Sequence, residues 1–183
     1  MMEPFLRIDQ FAAATGGQVA ASDARLGPLL DAASAAVRRY CGWHIGPVIS
    51  ETLTLDGPGG DLLVLPTLRL EAVTSLTVSG EAVDVAELEW SGNGEVRRRG
   101  GWPDRFRSVV IGVQHGFDDY ADVQQIVQQV VANAISSPMG ATREQAGQVS
   151  VQWSTTAPGV SGGLSLLERD LAVLDRYRLP GGA

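Results

Sequence analysis

Two runs of helical periodicity, with a long block of strand texture between them, constrain this chain more than any other feature. In LGPLLDAASAAVRRYC, Leu26, Leu29, Leu30, Ala33, Val37, Tyr40 and Cys41 recur at the spacing of one helix face. In DDYADVQQIVQQVVANAISSP, Tyr120, Val123, Ile126, Val127, Val130, Val131 and Ala134 do the same. Gln124, Gln125, Gln128 and Gln129 cover the opposite side. Ser22 or Asp23 is placed to cap the first helix, Pro28 is tolerable only near its first turn, and Gly42 is placed to end it. Pro138 marks the end of the second.

The block from 48 to 116 has another period. ISETLTLDG alternates, with Leu53 and Leu55 on one side, and DLLVLP, VTSLTVSG and SVVIGVQHG are short apolar or alternating runs punctuated by Gly and Pro. EWSGNGEVRRR reads as a hairpin whose turn is Gly92-Asn93-Gly94, residues that accept positive φ. The fold class is therefore α+β: a helical core with an inserted small antiparallel sheet, barrel or sandwich-like, followed by a C-terminal helix and an extended tail. The expected divisions are 1–47 (N-terminal helical part), 48–116 (β-rich insertion), 117–140 (core helix), 141–163 (flexible stretch) and 164–183 (helix and tail).

The ends of the chain are less regular. FLRIDQFAAATG, residues 5–16, predicts a short helix stopped by Gly16 and Gly17. Residues 139–163 are rich in Gly, Ser and Thr, with one strand-like island, QVSVQWS. A capping box, Ser165 with Glu168, predicts the start of the last helix, and Leu167, Leu171 and Leu174 give it an apolar stripe. That stripe must either fold back on the body or be buried by a partner. The tail follows as Arg176, Tyr177, Arg178, Leu179, Pro180 and two glycines.

Composition narrows the function classes. No apolar run approaches the roughly 20 residues of a membrane span, so no membrane partner is expected. The opening MMEPFLRIDQ has neither a basic flank nor an apolar stretch, so a chain made and kept in a cytoplasm is expected. A net charge of −7 gives no general attraction for nucleic acid, whose grip depends on neutralised phosphates. The single cysteine, Cys41, cannot form an internal disulfide or build a cysteine-based zinc site by itself.

Catalytic and cofactor chemistry is not expected. A thiol nucleophile would need Cys41 exposed beside His44 or His115, but Cys41 lies on the apolar stripe of its helix. Asp118, Asp119 and Asp122 beside His115 read as acids at a helix N-terminus rather than as metal ligands. DGPGGD, 56–61, lacks the ending of a phosphate-binding loop and reads as a turn. No cofactor and no metal are assigned.

Interaction surfaces are better represented. RRRGGWPDRFR, 97–107, sets Arg97, Arg98, Arg99, Arg105 and Arg107 against Asp104, with Trp102 and Phe106 interleaved. Arginine with aromatics suits an acidic protein surface or a phosphate backbone, and equally the solvated edge of a hairpin. Trp43 is expected in the core, and Trp153 at a surface covered by a neighbour.

Several segments carry a family resemblance. LLDAASAAVRRYCGWHIGPVISETLTLDGPGG, with its VRRYCGW helix end and following strand and turn, resembles the opening of head-to-tail connector (adaptor) proteins of long-tailed phages, in particular the actinobacteriophage type. LPTLRLEAVTSLTVSG resembles their next strands, and LDRYRLP their C-termini. The resemblance implies a virion structural protein at the head–tail joint, assembled in the host cytoplasm as a homo-oligomeric, dodecameric ring. It implies a portal protein on one face, docked by the C-terminal segment (Leu167, Leu171, Leu174, Arg176, Tyr177, Arg178, Leu179 and Pro180). The next neck or tail protein would sit on the other face, and genomic DNA would pass through the lumen without sequence-specific contacts. It implies no enzyme activity. A head-completion stopper, expected to be more purely β, is the alternative within a neck; a small cysteine/histidine enzyme is the alternative outside it.

Overall fold

The computed structural model describes residues 2–136, 143–146, 149–152 and 164–181. In chain order its elements are α1 (Ile8–Ala14), α2 (Leu26–Cys41), β1 (Ile49–Pro58), β2 (Leu62–Val64), β3 (Leu70–Val78), β4 (Glu81–Val83), β5 (Leu88–Trp90), β6 (Glu95–Arg98), β7 (Asp104–His115), α3 (Ala121–Ser136), β8 (Arg143–Ala146), β9 (Val149–Gln152) and α4 (Glu168–Leu174). Single 3-10 turns occupy Val85–Glu87 and Asp175–Tyr177. The chain divides into a helical unit, Met1–Cys41 with Ala121–Arg178, and a sheet unit, Gly42–Tyr120 with Leu179–Ala183. Among the described residues no helix is long and apolar enough to cross a membrane.

In the helical unit α2 and α3 pack together, α1 lies on α2, and α4 touches both α2 and α3. Leu26, Leu30, Ala33, Val37 and Cys41 of α2 face Val123, Ile126, Val127, Val130 and Val131 of α3, all buried. Each leucine, valine or isoleucine among them contributes about 1.5–3 kcal/mol on removal from water. Asp23 Oδ1 accepts the Arg25 N–H at 2.9 Å ahead of α2, and Gly42, at φ 83°, ends it. α1 is shorter than expected because Phe5 and Leu6 are buried anchors ahead of it: Phe5 N–H donates to Ser34 Oγ at 3.0 Å, and the Arg38 guanidinium sits 4.3 Å over the Phe5 ring. β8 and β9 pair antiparallel, with Arg143 opposite Gln152. The rest of the expected flexible stretch, Trp153 included, lies outside the described residues.

α4 begins two residues later than the Ser165–Glu168 pattern predicts. Leu167 is its N-cap residue, and the Asp170 carboxylate accepts the Leu167 N–H at 2.9 Å. Asp170 stands three residues after Leu167, as Glu168 does after Ser165, so the same spacing rule applies in a shifted frame.

The sheet unit holds two open antiparallel sheets rather than a closed barrel. One has the order β1-β7-β3-β4 and the other β2-β6-β5. β7 is central in the first, paired with β1 from Ile49↔His115 to Pro58↔Asp104 and with β3 from Leu70↔His115 to Val78↔Val109. Leu63, Leu88 and Val96 of the second sheet share one core with Leu70, Leu76, Val78, Val109, Ile111 and Val113 of the first. The arrangement is sandwich-like. The β5–β6 hairpin turns through Gly92-Asn93-Gly94 as expected, and Gly94 has φ 86°. A Cβ there would stand 2.8 Å from the Thr67 carbonyl, so the turn tip is closed against the 65–70 segment, whose Leu65 N–H donates to Gly94 O at 2.8 Å.

Candidate functional site

The arginine-rich stretch occupies β6, the loop after it and the start of β7. Arg97 and Arg99 are exposed, while Arg98 is half-buried and donates Nη1–H to Gly101 O at 3.0 Å. All three line a surface groove of about 760 Å³ whose other charged walls are Asp61, Glu87 and Glu89. This part of the stretch is therefore mixed in sign and not the basic patch its sequence suggests. Trp102, expected at an interface, is instead buried in the core of the sheet unit, with its indole N–H donating to Asp61 O at 3.1 Å. Gly100 and Gly101, at φ 92° and 77°, turn the backbone so that the ring points inward.

Arg105, Phe106 and Arg107 form the outward part. Opposite them the β1–β7 register slips between Leu55 and Gly57, leaving a bulge on β7. Arg107 has φ 53°, an unusual conformation for a side chain with a Cβ, and its N–H is held by Asp56 Oδ1 at 2.7 Å. Ser108 Oγ–H donates to Arg105 O at 2.8 Å. The bulge displays Phe106, 84% exposed, between two exposed arginines. An aromatic of that size held in water by a pinned backbone is a strong mark of a binding surface.

The C-terminal segment is anchored within its units. Leu174 is fully buried, and Leu167 and Leu171 are half-buried. Tyr177 O–H donates to the Asp122 carboxylate, 2.8 and 3.0 Å from its two oxygens. Tyr40 O–H donates to Asp175 at 2.5 Å, and the Arg178 guanidinium lies 5.1 Å from the Tyr40 ring centre. Leu179 covers Gly42, where a Cβ would stand 3.6 Å from its Cδ1. Arg176, Arg178 and Pro180 are exposed.

The residues weighed for catalysis take other roles. Cys41 is fully buried with Sγ 3.6 Å from Leu174 O, and burial pushes its thiol up to about 12. Such a thiol is not a nucleophile near neutral pH. Asp122 serves Tyr177 rather than His115. His115 instead lies against Glu51, Nε2 to Oε1 2.7 Å, and against His44, with ring centres 4.4 Å apart. His44 Nε2 faces Pro47 O at 3.1 Å and His115 O at 3.2 Å. Burial, then the neighbouring His115, holds His44 below the ordinary imidazole range. Trp43 is buried, as expected, and packs edge-on against His44 at 5.2 Å and against Phe117 at 5.8 Å. Sequence reasoning missed Glu51. Its signal was a carboxylate in line with Leu53 and Leu55 on the inward face of β1.

The chain is similar over nearly its whole length to two solved structures. One is a chain from the neck of a native GTA particle computed with C12 symmetry, with a TM-score of 0.59, 17% identity, and coverage of 99% of this chain and 98% of that one. The other is from the neck of an empty GTA particle computed with C6 symmetry, with a TM-score of 0.60, 18% identity, and coverage of 96% and 92%. No family model matches the chain, and no curated protein matches it in sequence. The mixed α+β fold described above is thus shared with those two neck chains.

Proposed function

We propose that this chain is a structural subunit of the neck of a phage-like particle, and within the neck the head-to-tail adaptor. The observation that carries the reading is the end-to-end likeness to chains from GTA (gene transfer agent) necks, which covers both units and not one shared motif. The symmetry of those necks supports a ring of like subunits, the expected dodecamer among the possibilities. A head-to-tail repeat of one heterologous contact closes into such a ring. In this reading the Arg105-Phe106-Arg107 bulge is one half of the subunit contact, because an exposed aromatic flanked by arginines has the chemistry of an interface hot spot. Genomic DNA passes through the lumen, and a chain of net charge −7 neutralises few phosphates and lets it slide. The buried, protonated Cys41 removes the support a thiol enzyme would need.

The C-terminal segment is the portal-docking element of this reading. Arg176, Arg178 and Pro180 face outward for that contact, while Leu174 and Tyr177 hold the segment on its own unit. The test is retention of the purified chain on the immobilised portal protein of the same particle. The wild-type chain is expected to be retained. Arg176→Glu with Arg178→Glu is expected to be lost from the portal while its far-UV circular dichroism is unchanged. Equal retention of the folded double variant would remove the docking role from this segment.

A further inference from the structure

Phe106 stands 84% exposed between Arg105 and Arg107, on a backbone pinned by Asp56. Neither arginine makes an ion pair among the described residues. A surface that receives this bulge must offer an apolar floor to the ring and a carboxylate to a guanidinium. Two grooves beside β6 fit poorly. Both are lined by Arg97, and one by Arg98 and Arg99 as well, so they set like charge against the bulge.

The helical unit carries a better match on α2. A helix packed on a core by one face ordinarily shows charged and polar groups on the other. The outward positions of α2 instead read Pro28, Asp31, Ala32 and Ala35, all exposed and at the spacing of one helix face. With Met2, 47% exposed, and Arg38 they line an open groove of about 570 Å³. The alanines leave room for a ring to lie against the helix, and an unbranched methionine adapts to what it covers. Asp31 makes no ion pair among the described residues. Arg38, the cation of the groove, lies two helical turns beyond it and is committed elsewhere. Its Nη2–H donates to Glu3 O at 2.7 Å, and its guanidinium sits 4.3 Å over the Phe5 ring.

We propose that the Arg105-Phe106-Arg107 bulge of one copy seats in the α2 groove of the next. Phe106 lies against Ala32, Ala35 and Met2, and one of its flanking arginines pairs with Asp31. The inference rests on the ring reading above and names the receiving half of that contact. Bulge and groove are different surfaces, so the contact is heterologous. Each copy gives one bulge and receives one, and such a repeat closes into a ring with no free end.

The test is native mass spectrometry of two charge-reversed chains, alone and mixed. Asp31→Arg keeps the bulge and reverses the groove, while Arg105→Glu with Arg107→Asp keeps the groove and reverses the bulge. All three positions are exposed, and both chains are expected to match wild type in far-UV circular dichroism. Each chain alone sets like charges together, which is expected to weaken the contact by about 10-fold or more and abolish its rings. In an equimolar mixture each bulge finds a groove of opposite charge on the other chain. Rings are therefore expected to return, with the mass of equal numbers of the two chains. Asp31→Arg rings formed as in wild type, or a mixture of folded chains that stays monomeric, would overturn the groove as the receiving surface and leave the ring reading standing. A wild-type chain that forms no ring would overturn the ring reading, and this contact with it.

Discussion

Leu174→Ala measures whether the last helix belongs to the folded chain or waits for a partner. Leu174 is fully buried, with a relative accessibility of 0%, and α4 touches both α2 and α3. The substitution deletes three carbons from a packed site. At about 0.8 kcal/mol for each buried methylene the transfer loss is about 2.4 kcal/mol. A partly relaxed cavity adds about 1 kcal/mol at roughly 24 cal/mol per Å³. The expected loss is therefore about 3–3.5 kcal/mol, near the middle of the range for buried leucines. With a urea slope of about 2 kcal/mol per molar, the midpoint falls by about 1.5 M. Equilibrium unfolding followed by far-UV circular dichroism reads this directly, with Glu168→Ala on the exposed side of α4 as the reference. A loss below about 0.5 kcal/mol, typical of surface positions, would show that α4 is undocked in the free chain and that the packing argument is wrong.

Three further outcomes follow from the same geometry. Gly57→Ala would set a Cβ 2.0 Å from Pro103 O, so it should cost about 2 kcal/mol or more, while Gly60→Ala, with nothing within 4 Å, should change the urea midpoint negligibly. Phe106→Ser should leave stability within about 0.5 kcal/mol yet reduce ring formation by native mass spectrometry, and rings formed as in wild type would take the bulge out of the subunit contact. The folded Cys41 thiol is raised to about 12 from an ordinary value of 9.0, so the unfolded chain gives up its proton first. The thiol's contribution is complete below pH 9 and is lost as pH rises toward 12, by up to about 1.4 kcal/mol per unit. Denaturation of wild type and Cys41→Ala from pH 8 to 10 should show the gap change with that sign, alongside slow thiol labelling at pH 8.

Periodicity carried the helices well, because the buried residues of α2 and α3 repeat every third or fourth position and little else in the chain does. Leu26, Leu30, Ala33, Val37 and Cys41 are buried as one stripe, and Gly42 stops it. The hairpin turn at Gly92–Gly94 was equally legible, since a tight turn needs positive φ and glycine accepts it at no steric cost, as Gly94 does at φ 86°. Long-range pairing was not. Nothing in the local pattern of SVVIGVQHG says that β7 lies between β1 and β3, and this placement brings His115 to Glu51 and His44. Trp102 looked like an interface residue because it sits among arginines, but two glycines at positive φ turn it into the core. The charge of Arg97–Arg99 was misread for a related reason: its counter-charges, Asp61, Glu87 and Glu89, come from other segments. Asp122 does stand in the first turn of α3, as read from the sequence, but its hydrogen bond with Tyr177, 55 residues away, was not legible there.

Electron microscopy of particles assembled without this chain tests the neck assignment most directly. An adaptor's loss should yield filled or leaking heads beside separate, complete tails, with the joint between them missing. Intact, tailed particles would contradict the assignment and leave the likeness to GTA neck chains as one of fold alone.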